Sequence, residues 1–146
     1  MSIEAAENRI SYCKMQIREY EERIRQLQKD IKELEALDAR YTRAKEKFQL
    51  KNTENFQRLG SMSNIGSPLK SVDSYINSMR QLLSGSQYEN ALDGLSEAKR
   101  IVVKKVLGLE DEIKDLERKI DQCHFQIQKS HGEILVLRAK EAIDNV

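Results

Sequence analysis

The sequence predicts an all-α protein: an elongated antiparallel helical hairpin (coiled coil) of two long helices, with a short third helix packed at one end. Towards both ends of the chain, apolar residues recur at alternating steps of three and four, the pattern of helices that bury a narrow seam. The stretch from Gly60 to Ser67 is rich in Gly and Ser and predicts the main connection. Charged residues make up 34% of the chain and aromatic residues 5%, a balance typical of long solvated helices. We expect one domain over residues 1–146.

The first predicted helix covers about residues 3–57. Ser2 is a suitable N-terminal cap. Asp38 and Lys45 break the strict repeat after Leu34, and Tyr41 and Phe48 continue a rotated apolar stripe. The seam positions before this change are Ile3, Ala6, Ile10, Cys13, Ile17, Tyr20, Ile24, Leu27, Ile31 and Leu34.

A linker at 58–67 and a short helix at 68–84 follow. Ser67 can cap this helix and Pro68 suits its first position. The helix presents Leu69, Val72, Ile76, Met79 and Leu83 on one face. Gly85 predicts its end, because glycine adopts the left-handed conformation that closes many helices.

The third predicted helix covers about residues 87–143, after a Ser86-to-Glu89 capping box. Lys99 and Ser130 interrupt its seam. Gly94, Gly108 and Gly132 lie off the seam, and we interpret them as surface glycines rather than points where another backbone approaches. The seam contains Tyr88, Leu92, Leu95, Val102, Val106, Leu109, Ile113, Leu116, Ile120, Cys123, Ile127, Ile134 and Leu137.

Two segments of the third helix are too apolar for one partner helix to cover. The first contains Ile101, Val103 and Leu107, and we expect the short helix to fold back from Gly85 and pack on it. The second, Ile134-Leu135-Val136-Leu137, lies beyond the reach of the remaining chain and predicts an association surface. The candidate partner-binding residues are therefore Ile101, Val103, Leu107, Ile127, Ile134, Leu135, Val136 and Leu137, with Leu83 and Gly85 at the turn.

No pattern in the sequence indicates catalysis or a cofactor. Asp121, His124 and His131 share one flank of the third helix, but the first helix has no histidine to complete a metal site, so we predict none. The net charge of +1 gives no sign of a nucleic-acid-binding surface. Cys13 and Cys123 do not form a metal motif, and they can form a disulfide only if the helix register brings them together.

Localisation is predicted from what the sequence lacks. No apolar run is long enough to cross a membrane, and the N-terminus has no signal-peptide pattern. We therefore expect a cytoplasmic protein that does not insert into membranes.

The helical pattern resembles that of the YwqH-like proteins encoded beside LXG-domain toxins of Gram-positive type VII secretion. The similarity lies in the heptads of the first helix with Tyr41 and Phe48 near its end, the Ser/Gly connection, and the long C-terminal heptad helix. The wider WXG superfamily carries a Trp-x-Gly turn, and Leu83-Ser84-Gly85 keeps only its glycine.

This resemblance implies a non-enzymatic adaptor that binds the helical N-terminal (LXG) domain of a toxin and promotes its secretion. The associated export signal, an aromatic residue followed four residues later by an acidic one, is absent from every Tyr and Phe of the chain. A companion, such as a second small helical adaptor, would then supply the signal for export of the complex. The alternative is a homodimeric coiled-coil spacer or scaffold subunit.

Overall fold

The computed structural model describes residues 2–64 and 70–145, and it is all-α over these ranges. Its elements are α1 (Ile3–Asn64), α2 (Lys70–Ser84) and α3 (Ser86–Asp144). The predicted all-α fold and the packing of long helices as a hairpin are confirmed. The residues group into two compact units: unit 1 contains Met1–Lys32 and Leu107–Val146, and unit 2 contains Glu33–Val106. The single-domain assignment stays a prediction.

Helix α1 begins as expected but ends later. The Ala5 backbone N–H donates to Ser2 Oγ at 3.1 Å, which is the predicted cap. The predicted linker is wrong for residues 58–64, which are helical, whereas residues 65–67 lie outside the described residues. Leu59 is buried, and the Ser61 hydroxyl donates to the Gln57 carbonyl at 3.2 Å. Burial of an apolar side chain therefore outweighs the weak helix propensity of Gly60 and Ser61.

Helix α2 ends at Ser84, as predicted, but the role predicted for Gly85 is wrong. The backbone of Gly85 is not in the left-handed region, and a Cβ atom added there would lie 2.3 Å from the Gln81 carbonyl oxygen. Glycine is therefore required by close approach of the chain to itself. The predicted start signal at Ser67 and Pro68 lies outside the described residues.

In unit 1, α1 and α3 pack antiparallel around an apolar seam. The ion pairs Glu7–Arg138 (3.8 Å), Arg9–Glu133 (3.9 Å) and Arg23–Glu112 (3.2 Å) flank this seam and fix the direction of pairing. Its buried apolar residues are Ala6, Ile10, Cys13, Ile17, Leu27, Leu116 and Ile134. Ser130, which interrupts the heptads, is also completely buried, and its hydroxyl has no hydrogen-bond partner.

In unit 2, the same two helices pair through a more polar interface. Lys99 Nζ lies 2.6 Å from Thr42 Oγ1, and Lys45 Nζ lies 3.2 Å from Ser96 Oγ. These contacts explain why the apolar repeat breaks near Lys45 and Lys99. The Phe48 and Tyr88 rings stack with centroids 5.2 Å apart and continue the antiparallel pairing.

Helix α2 does not fold back over α3, so that prediction is wrong. α2 instead packs beside α1, since Leu82 and Leu83 line one groove together with Asn52 and Asn55. The physical reason is that α1 extends to Asn64 and offers Leu59 as an apolar contact in this part of unit 2. Ile76 of α2 is correspondingly buried.

A candidate partner-binding surface on helix α3

A line of apolar side chains on α3 of unit 1 points to solvent. Its members are Phe125, Leu135, Val136 and Ile143, with exposed fractions of 63%, 68%, 55% and 73%. We call these four residues the outer face. Single exposed apolar side chains are common but aligned ones are not, and Phe125, Val136 and Ile143 point in nearly the same direction, so the outer face is the strongest candidate binding surface in unit 1.

Helical geometry places Phe125, Val136 and Ile143 opposite the seam, whereas Leu135 lies about 80° to one side of them. At about 100° per residue, Ile143 lies about five full turns after Phe125, and Val136 lies within about 20° of the same direction. Ile134, nine residues after Phe125, points about half a turn away and is buried against Ala6 and Ile10. Helix α3 therefore has a second apolar side that α1 leaves largely exposed, and Phe125 at one end of it also borders the groove beside α1.

The structure divides the predicted patch at residues 134–137 into two kinds of residue. Leu135 and Val136 are exposed, as an association surface requires. The prediction is wrong for Ile134, which is buried, and for Ile127, which packs against the same cluster. The first turns of α1 reach this end of α3 and cover them. Leu137 is half-buried.

The other predicted candidates remain open to solvent or lie at the turn. Ile101 and Val103 of unit 2 are exposed, and Leu107 of unit 1 is exposed as well. Leu83 is half-buried and lines the groove beside α1, while Gly85 forms the break between α2 and α3. Gly94, Gly108 and Gly132 have open space where a Cβ would stand, which confirms their interpretation as surface glycines.

Sequence reasoning missed Phe125 and Ile143. It searched for positions in phase with the seam, whereas these two residues stand half a turn out of phase. The available signal was the spacing of eighteen residues between them, a whole number of helical turns, with Val136 in the same direction.

Each unit also has a groove between its helices. In unit 1, a groove of about 680 Å³ is lined by Tyr12, Tyr20, Phe125 and both cysteines. At the edge of this groove, Lys119 Nζ lies 5.9 Å from the centre of the Tyr20 ring. In unit 2, a groove of about 710 Å³ has an apolar base with basic side chains beside it; its lining includes Phe48, Leu82, Leu83, Tyr88, Lys47 and Lys51.

Among the residues that the structure describes, the electrostatics give no sign of an acid–base pair tuned for catalysis. The shifted carboxyl is that of Glu97, whose pKa is lowered by the hydrogen bond from Arg100, and this pair is fully exposed. Burial, followed by the neighbouring Cys13, raises the pKa of the Cys123 thiol. Within residues 2–64 and 70–145, no group of three or more His, Cys, Asp or Glu is arranged to hold a metal ion. The helices in these ranges include none that is long and apolar enough to cross a membrane.

Comparison with known proteins gives no further assignment. No protein-family model, curated protein or solved structure matches this chain significantly. The geometry of the two units therefore has to support any functional conclusion, together with the resemblance described above.

Proposed function

We propose that this protein is a non-enzymatic helical adaptor whose outer face binds a helical segment of another protein. The observation that carries the proposal is the uncovered apolar side of α3, directly opposite the seam that α1 fills. An amphipathic helix laid along Phe125, Val136 and Ile143 would bury them as α1 buries Ile134.

The size of the outer face limits the affinity that it can supply. Full burial of a large apolar side chain is worth roughly 1.5–3 kcal/mol, so four of them provide at most about 6–12 kcal/mol. Association itself costs about 4 kcal/mol or more. The outer face alone therefore supports modest binding, and a partner that binds tightly must also contact neighbouring side chains.

The partner in this proposal is the helical N-terminal (LXG) domain of a type VII secreted toxin, whose secretion the adaptor promotes. What supports this identity is the resemblance in the heptad pattern of the two long helices, together with a free helical face of the kind that an adaptor needs. Because the export motif is absent, a second small helical adaptor would join the complex and supply it.

Co-expression with the N-terminal domain of any LXG-type toxin encoded beside this gene tests this role. We expect the wild-type chain to co-purify with that domain, and Val136→Glu to lose it, because a carboxylate on the outer face cannot be buried without cost. Met15→Glu is the matched control, since Met15 is similarly exposed in unit 1 but lies on α1. Absence of a complex with the wild-type chain, or equal loss in both variants, contradicts the proposal.

A homodimeric spacer is the second candidate, and one spacing favours it. Leu107 and Ile143 each lie eighteen residues from Phe125, so a second antiparallel copy of α3 centred on Phe125 would place Leu107 opposite Ile143. Light scattering separates the candidates: a stable dimer that Val136→Glu converts to a monomer supports the spacer, and a wild-type monomer excludes it.

A further inference from the structure

Unit 1 brings its two cysteines together across the seam. Cys13 of α1 lies between Arg9 and Tyr20 along the sequence, and Cys123 of α3 lies between Lys119 and Glu133. Arg9 pairs with Glu133 at 3.9 Å, and Lys119 lies over Tyr20 at 5.9 Å. These two contacts place Cys13 and Cys123 in the same stretch of the antiparallel pair.

The neighbourhood of the thiols supports this placement. Both cysteines line the same groove in unit 1, so both border the same solvent-open space. Cys13 is buried, whereas Cys123 is partly exposed, and both are free thiols. Burial and the proximity of Cys13 raise the pKa of Cys123.

We propose that Cys13 and Cys123 form a dithiol site that small disulfides oxidise to a reversible disulfide between α1 and α3. This inference does not depend on the adaptor role. The groove beside the cysteines has a volume of about 680 Å³ and is open to solvent, which gives such a molecule access to Cys123.

The reaction is ordinary thiol–disulfide exchange and balances without another reactant. The Cys123 thiolate attacks the small disulfide, forms a mixed disulfide and releases one small thiolate. The Cys13 thiolate then attacks the Cys123 sulfur, forms the bond between the helices and releases the second small thiolate. The protein loses two thiol protons, which the two leaving thiolates take up, so the small disulfide is reduced as the dithiol is oxidised.

The product would covalently fix the pairing of unit 1. The bond would close a loop of about 110 residues between Cys13 and Cys123. A loop of this length restricts the unfolded chain strongly, so oxidation should raise the thermal unfolding temperature (Tm) and reduction should restore it. Because the thiolate is the reacting form and burial raises the pKa of Cys123, oxidation should accelerate towards alkaline pH.

Oxidised glutathione added to the full-length reduced protein tests the proposal. We expect intact-mass spectrometry to show the loss of two hydrogen atoms with no retained glutathione, and peptide mapping to join Cys13 to Cys123. The product should be no larger in solution than the reduced protein, and its Tm should rise in a shift that dithiothreitol reverses. A persistent glutathione adduct on Cys123, or disulfide-linked dimers as the main product, would overturn it.

Two variants check which sulfur acts at each step. In Cys13→Ser, the mixed disulfide on Cys123 cannot be resolved, so glutathione should remain attached. In Cys123→Ser, the buried Cys13 should react far more slowly. Cys13→Ala replaces the serine variant if circular dichroism shows that it unfolds, and the wild-type mass measurement decides the proposal without either variant.

Discussion

Units 1 and 2 use the same pair of long helices but hold them together differently. Unit 1 has an apolar seam flanked by ion pairs, whereas unit 2 replaces part of that seam with the Lys99–Thr42 and Lys45–Ser96 contacts. The described side chains of unit 2 include few buried apolar residues, namely Leu59, Ile76 and Val102. Since burial of apolar area is the main stabilising contribution, we infer that most of the packing energy lies in unit 1.

The largest expected effect comes from breaking the seam of unit 1. Ile10→Ala removes a buried side chain from the cluster with Ala6 and Ile134, and it should lower the free energy of unfolding by roughly 2–5 kcal/mol. Ile101→Ala is the control in unit 2, where the side chain is exposed, and it should change stability by no more than about 0.5 kcal/mol. Urea unfolding followed by circular dichroism measures both, and equal effects would refute the contrast.

The next effect separates two glycines of unit 2. Gly85→Ala would place a Cβ against the Gln81 carbonyl, so the bend between α2 and α3 must shift, at a cost of about 1–3 kcal/mol. Gly94→Ala meets open space in a helix interior and should stabilise the protein by up to about 1 kcal/mol. In thermal unfolding, Gly85→Ala should lower the Tm and Gly94→Ala should raise it. Stabilisation by both variants would show that the bend at Gly85 is not required.

A smaller effect concerns the one polar side chain buried in the seam of unit 1. Ser130 has no hydrogen-bond partner for its hydroxyl, so Ser130→Ala should be neutral or stabilise by about 1 kcal/mol. Ser130→Leu adds volume to a completely buried position and should destabilise by about 1–3 kcal/mol. Destabilisation by the alanine variant in urea unfolding would show that the hydroxyl has a partner.

The smallest effect is the pH dependence that Cys123 contributes. Its folded-state pKa is raised above the ordinary value of 9.0, mainly by burial. Below that pH, the thiol is protonated in both states; above it, the unfolded chain releases the proton first, so the free energy of unfolding falls as pH rises. Under reducing conditions, the urea midpoint should therefore fall less between pH 8 and pH 10 for Cys123→Ala than for wild type. Parallel curves would contradict this assignment.

The sequence predicted unit 1 more completely than unit 2 for a physical reason. A strict heptad repeat keeps its apolar residues on one face of a helix, and a second helix must bury that face. The pairing of α1 with α3 around Ile10 and Ile134 therefore followed from the periodicity. In unit 2, polar residues replace seam positions, and periodicity cannot tell whether α2 packs on α1 or on α3. That choice depends on how far α1 extends. Glycine at position 60 predicts that the helix ends nearby, but burial of Leu59 stabilises it as far as Asn64.

The candidate site was predicted only in part because its two sides follow different rules. Leu135 and Val136 were identified because four consecutive apolar residues point in more directions than a single partner helix can cover. Ile134 belongs to the same run, but the first turns of α1 bury it. That burial depends on the register of α1 against α3, which cannot be read from the sequence pattern. Phe125 and Ile143 lie outside that run of four apolar residues, so each alone looks like an ordinary exposed side chain.

Titration calorimetry with the proposed partner, an LXG-type N-terminal domain, tests the central proposal that the outer face of α3 is a binding surface. The wild-type chain should bind, Val136→Glu should raise the dissociation constant by about tenfold or more, equivalent to about 1.4 kcal/mol, and Met15→Glu should leave it unchanged. Wild-type affinity retained by Val136→Glu would contradict the account.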